Sequence, residues 1–196
     1  MEYYGLESAQ AITHERALEL LNLLGNALEE QSLHATLDVY GGAAMMLTCI
    51  PEYISYDMDI MLHTDSHGKF WEVVESLAAE LNLNKNWLNE DVVPIIAKDF
   101  KKSKLNVFKQ FGNLVVRLPE PEQLLAMKLY AARADKSDLS HAVTLSRDLG
   151  ISTRQGLLDV LKAYIKENAI REQNRQPKRH NCIYNFIDEV LKGLKS

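Results

Sequence analysis

The chain has little cysteine, no long apolar run and no gathered set of histidines, and each scarcity removes a class of function. Cys49 and Cys182 stand far apart in apolar surroundings. They lack metal-ligand spacing and read as buried free thiols of a reducing compartment. No apolar stretch approaches the roughly 18 residues of a membrane span. The opening MEYYGLESAQ is acidic and polar, unlike a secretory leader. The expectation is a cytoplasmic protein with no membrane partner. His14, His34, His63, His67, His141 and His180 are scattered, so they read as surface or capping residues. His63 and His67 alone flank the stretch singled out below. Neither a Ser-His-Asp nor a Cys-His arrangement can be assembled, and internal repeats and low-complexity tracts are missing too.

What is present suffices for a core. The 196 residues are 46% hydrophobic and 25% charged, ordinary proportions for one domain or a small core with a helical appendage. The net charge of −5 argues against indiscriminate nucleic-acid binding, but the charge is unevenly placed. Residues 162–196 hold eight Lys/Arg against four acids, a net of +4. A second basic cluster comprises Lys98, Lys101, Lys102, Lys104 and Lys109. Each is either a solvated face or a surface for the phosphates of a substrate or an RNA.

The richest stretch is Tyr40–Leu62, YGGAAMMLTCIPEYISYDMDIML. An apolar strand ending at Tyr40 meets Gly41–Gly42, an apolar helix follows to about Cys49, and Pro51 stops it. A second strand over Ser55–Leu62 carries Asp57 and Asp59 between Tyr56, Met58 and Ile60. Alternation puts both carboxylates on one face, with Met58 and Ile60 in the core. Two carboxylates one pleat apart repel unless a cation lies between them, and hard divalent ions favour such oxygens. Glycines at a strand-to-helix junction let a phosphate approach the backbone at a helix N-terminus. The combination is that of a metal–nucleoside triphosphate site.

The rest is read more coarsely. Ser8–Glu30 has the spacing of an amphipathic helix, Ala35–Tyr40 is the first strand, and Thr64, Asp65 or Ser66 caps a helix through Leu81. Leu105–Phe108 and Leu114–Leu118 form two strands around Gly112–Asn113. From Pro119 onward only helices are expected: Pro121 to about Ala134, Leu139–Leu149, one opened by a Ser152/Gln155 capping box, and a last one from Ile183. Glu172–His180 reads as a loop. The expected class is α+β, a small mixed β-sheet flanked by helices over residues 1–118, followed by a four-helix tail over 119–196.

In this order, strand, Gly-Gly, apolar helix and Asp-x-Asp strand resemble the opening motif of the DNA polymerase β-like nucleotidyltransferases, and especially their small bacterial abortive-infection and toxin–antitoxin members. The segment PEQLLAMKLYAARADKSDL adds to the likeness, with Lys128 followed by Asp135 and Asp138 as the relatives' lysine and Asp-x-x-Asp element. The resemblance covers about Val39–Leu149. It implies a nucleotidyltransferase fold in which Gly41 and Gly42 hold the triphosphate and Asp57 and Asp59 hold Mg²⁺. It further implies transfer of a nucleotidyl group from an NTP to a hydroxyl of an RNA, a protein or a small molecule, in a chain that could act with an antitoxin partner. Lys128 lies in a helix apolar on every side, so its ammonium needs an anion. It is either a structural ion pair or a cation for the triphosphate. Asp138 is the candidate base for the acceptor hydroxyl. Two departures stand out. PEYIS offers no arginine before the Asp-x-Asp, and the strand LNVF offers Asn106 where many relatives carry a third aspartate. An amide cannot act as a general base, so a catalytically silent nucleotide- or metal-binding module working through a partner is the alternative.

Overall fold

A computed structural model describes residues 11–133, 136–175 and 182–196. Asp135 and His180 lie outside them, as do the start of the expected first helix and the end of the expected 172–180 loop. The described residues are mixed α and β, with a five-stranded mixed sheet and nine helices. No described helix is long and apolar enough to cross a membrane. The chain divides into two compact units, residues 1–93 with 105–119, and residues 94–104 with 120–196. The short segment before the hairpin therefore belongs with the helices.

In the first unit α1 (His14–Glu30) starts at Thr13, whose hydroxyl accepts from the Arg16 amide and satisfies one open donor of the first turn. The sheet runs β3-β2-β1-β5-β4, with β1 (Ala35–Val39) central. β2 (Met58–His63) lies antiparallel to it and β5 (Leu114–Leu118) parallel. β3 (Leu88–Asn89) extends the β2 edge, and β4 (Asn106–Phe111) pairs with β5 through a tight Gly112–Asn113 turn. Gly112 has φ +51° there, a conformation that suits glycine. Directly paired residues share a face, so Leu37, Val39, Ile60 and Val116 point to one side, where all are buried. Leu20, Leu21, Leu24 and Leu28 of α1 and Phe70, Val73 and Val74 of α3 (His67–Glu80) are buried in the same unit. α1 comes very close to the hairpin at Gly25, where an added Cβ would lie 2.0 Å from the Phe111 carbonyl oxygen. The other sheet face carries Thr36, Asp38, Asp59, Met61, His63, Val115 and Arg117 by the same register.

The second unit holds α4 (Val93–Asp99), α5 (Pro121–Ala131), α6 (Lys136–Asp148), α7 (Arg154–Tyr164), α8 (Glu167–Arg175) and α9 (Ile183–Gly193). Residues 94–104 are tied in by a Phe100–Ile165 bridge and by the Lys101 amide donating to the Tyr164 carbonyl, 2.8 Å. α4 forms around Pro94, in a stretch for which no element was expected, and the proline stands in its first turn, where no amide hydrogen is needed. Two expectations are corrected. The helix after Gly150 is capped by Thr153 rather than Ser152, its hydroxyl accepting from the Gly156 amide at 3.1 Å. The stretch expected as a loop from Glu172 is helical through Arg175, so the described residues of the tail hold five helices where four were expected. Of α8 only Ala169 and Ile170 are buried, too little apolar surface to show a pattern.

Candidate active site

α2 (Gly41–Thr48) begins directly after β1, and its N-cap Tyr40 makes no side-chain cap bond. The Tyr40 amide donates to the Asp59 carbonyl at 2.8 Å, which holds the helix start beside β2. Gly41 has φ +63°. A Cβ added there would lie 2.3 Å from Asp59 Oδ2, so the carboxylate occupies the space the glycine leaves. Asp57, just ahead of β2, is exposed, Met58 is buried, Asp59 is half-buried and Ile60 is buried, the alternation that places both aspartates on one side. Beside Gly42 lie the Tyr53 ring and Ser55 Oγ, 2.8 and 3.1 Å from where its Cβ would be. Ser55 Oγ also donates to the Asp57 carbonyl at 2.9 Å. Thus Gly41, Gly42 and Asp59 are brought together with Asp57 adjacent, and PEYIS supplies a phenol and a hydroxyl beside Gly42.

The donor set suits magnesium. Two carboxylates with phosphate oxygens completing the shell are a common protein contribution to a hard, six-coordinate ion. Among the described residues no group of three or more His, Cys, Asp or Glu side chains gathers as a metal cage.

Lys128 and Asp138 lie in the second unit and meet each other. Lys128, 7% exposed, approaches Asp138 Oδ1 at 2.6 Å, and Arg133 Nε donates to Asp138 Oδ2 at 2.6 Å. The anion that Lys128 requires is therefore Asp138, itself 1% exposed. A carboxylate with a cation on each oxygen is arranged as a structural anchor. Asn106 is exposed on β4, the sheet edge, with β5 between it and β1. The basic clusters spend amines on main-chain carbonyls: Lys166 Nζ donates to those of Ala97 and Lys98, at 3.2 and 2.7 Å, and Lys101 Nζ to that of Lys162.

One constellation escaped the sequence reading. Asp38, 3% exposed on β1, accepts from Arg117 Nε at 2.6 Å and Nη2 at 2.9 Å and pairs with His63 Nε2 at 2.7 Å. The register sets Asp38 directly beside Arg117 and His63 opposite Thr36, a diagonal within reach of a long side chain. The hydrogen bond from Arg117 to the Asp38 carboxylate raises the guanidinium pKa further. The available signal was one charge of each sign inside two otherwise apolar strands, LDV and VRL. Tyr40 adjoins this network. Burial chiefly, and then the Asp38 charge, push its phenol up to about 12 from the ordinary 10.

Because the folded phenol keeps its proton to higher pH than the unfolded one, its contribution to stability is complete below pH 10. It is then lost as pH rises through 12. At 1.36 kcal/mol per unit, wild type should lose about 2 kcal/mol more than Tyr40→Phe across that interval. Denaturant titrations at stepped alkaline pH would show this, and superimposable profiles would contradict it.

No family model, curated protein or solved structure matches this chain.

Proposed function

We propose that the first unit is the catalytic core of a metal-dependent nucleotidyltransferase of the DNA polymerase β-like kind, acting on an NTP and a hydroxyl of an RNA, protein or small molecule. The observation that carries this reading is Asp59 Oδ2 lying where a Gly41 side chain would be, at the start of α2. A helix start favours phosphate through its open amides and dipole. A carboxylate beside that position repels phosphate unless a cation joins them. Asp57 and Asp59 would hold Mg²⁺, which when bound neutralises charge on the transferred phosphoryl group. Gly41 and Gly42 leave room for the outer phosphates at the backbone, and the hydroxyls of Tyr53 and Ser55 stand beside Gly42 to orient them. Partnership with an antitoxin belongs to the same proposal and rests on the resemblance alone.

A second reading is favoured by one observation. Both Asp138 oxygens are engaged by cations, so the expected base would have to leave an ion pair to accept a proton. A core that binds Mg²⁺–nucleotide and works through a partner, without turnover, fits that arrangement. Incubation with each labelled NTP, Mg²⁺ and separate tRNA and lysate-protein pools, followed by gel separation, decides between them. Label in an acceptor band supports transfer. Metal-dependent nucleotide binding without label supports the silent core, and the lack of both would end the nucleotide reading altogether.

A further inference from the structure

The first unit carries a second feature, separate from the glycine junction. At the end of β1 away from Gly41, where β2 finishes and β5 begins, lies a groove of about 670 Å³, within the ~300–1,000 Å³ usual for small-ligand sites. We propose that this groove binds a nucleobase.

Its chemistry points to a neutral, flat, polar-edged ligand. The lining contains no lysine or arginine, and its one formal charge is that of Asp65, so it does not suit a phosphate. His34, His63, Gln110 and Asn113 share the lining with the aliphatic Ala35, Leu62 and Val115. Amide side chains read base edges, an asparagine matching the adjacent donor and acceptor of adenine. Imidazole rings stack on base faces.

The groove is also held in shape before any ligand arrives. His63 is fixed through Nε2 on Asp38, which Arg117 holds in turn. The Asp38 carboxylate only accepts, so Nε2 carries the hydrogen and Nδ1 is the acceptor of the neutral ring. Gln110 Nε2 donates to the Gly112 carbonyl at 3.0 Å, and Thr64 Oγ1 to the His34 carbonyl at 2.8 Å. Prior fixing reduces the ordering cost that binding would otherwise carry. Asp38 is the buried member of this network, and an ion pair buried solely for stability gains little over apolar packing. Holding an imidazole at the rim of a ligand groove gives it a use.

This inference does not depend on nucleotidyl transfer, since it involves neither the aspartate pair nor a triphosphate. The base could come from a free nucleoside or from a strand end. The full chain is titrated, without Mg²⁺, with adenosine, guanosine, cytidine and uridine, then with a short single-stranded adenine-containing RNA, while the imidazole resonances of His34 and His63 are followed by NMR. Saturable shifts are expected, tightest with adenosine, and His63→Gln and Asn113→Ala should each weaken binding about tenfold or more. Shifts with RNA but not nucleosides, with the same dependence on both variants, would assign the base to a strand. Unmoved resonances with every ligand, or binding that survives both variants, would overturn the proposal. A parallel Mg²⁺–NTP titration reads the Asp57/Asp59 site independently.

Discussion

Asp59→Ala is expected to lower Mg²⁺-dependent nucleotide binding by at least about 10²-fold and to remove label transfer with it. Loss of a residue that merely supports a metal ligand costs 10–100-fold, so loss of a ligand itself should cost no less. The companion variant is more telling. In Gly41→Ala both aspartates remain, yet the new methyl would stand 2.3 Å from Asp59 Oδ2 and must push the carboxylate aside. The φ of +63° adds roughly 1–2 kcal/mol for an L side chain in the left-handed region. Gly41→Ala should therefore lose binding nearly as fully as Asp59→Ala. Gly42→Ala meets the Tyr53 ring at 2.8 Å, a side chain that can turn, and should lose less. Calorimetric titration of each NTP with Mg²⁺ and with chelator checks the order. Wild-type affinity in Asp59→Ala would place any nucleotide site elsewhere.

Asp138→Ala should destabilise the second unit by about 3–5 kcal/mol, the usual cost of leaving a buried charge without its partner. Lys128 is 7% exposed and its Nζ lies 2.6 Å from Asp138 Oδ1. Once the carboxylate is gone the ammonium must deprotonate or drag water inward. Arg133 contributes less, because its side chain is 49% exposed and solvent screens it. The double variant Lys128→Met, Asp138→Leu should regain most of the loss, since apolar packing of similar volume replaces buried ion pairs well. Urea unfolding followed by far-ultraviolet circular dichroism measures the helices. Trp71 and Trp87 both belong to the first unit, so their fluorescence follows that unit separately. A loss below about 1 kcal/mol would show the carboxylate to be dispensable for structure and would restore Asp138 as a candidate for proton transfer.

The glycine–aspartate junction was legible because it is local. Two glycines, a short apolar helix and a Met58–Ile60 alternation lie within 23 residues, and strand periodicity alone fixes which side the aspartates take. Lys128 was legible for a different reason: an ammonium among apolar neighbours demands an anion, and what stayed open was whether a carboxylate or the triphosphate supplies it. The Asp38–Arg117–His63 network was not legible, because it depends on which strands become neighbours. Asp38 and Arg117 are 79 residues apart, and no spacing rule links them. The Thr153 cap illustrates a finer limit. Ser152 and Thr153 offer the same hydroxyl chemistry, and the approach of the preceding chain decides between them. Asn106 was placed by analogy with a third-carboxylate strand, whereas the sheet order puts Arg117 on the strand beside β1.

The sheet order also sets a timetable for synthesis. β1 leaves the ribosome with β2 close behind, but its other neighbour, β5, comes only after all of residues 94–104, which belong to the second unit. At the 5–20 residues per second of translation, the 79-residue interval keeps one edge of β1 open for roughly 4–16 s. An open strand edge invites pairing with other nascent chains, and a charged side chain on it discourages that. Asp38 is such a charge. Until Arg117 arrives, the carboxylate that later anchors the sheet would keep the waiting strand hydrated.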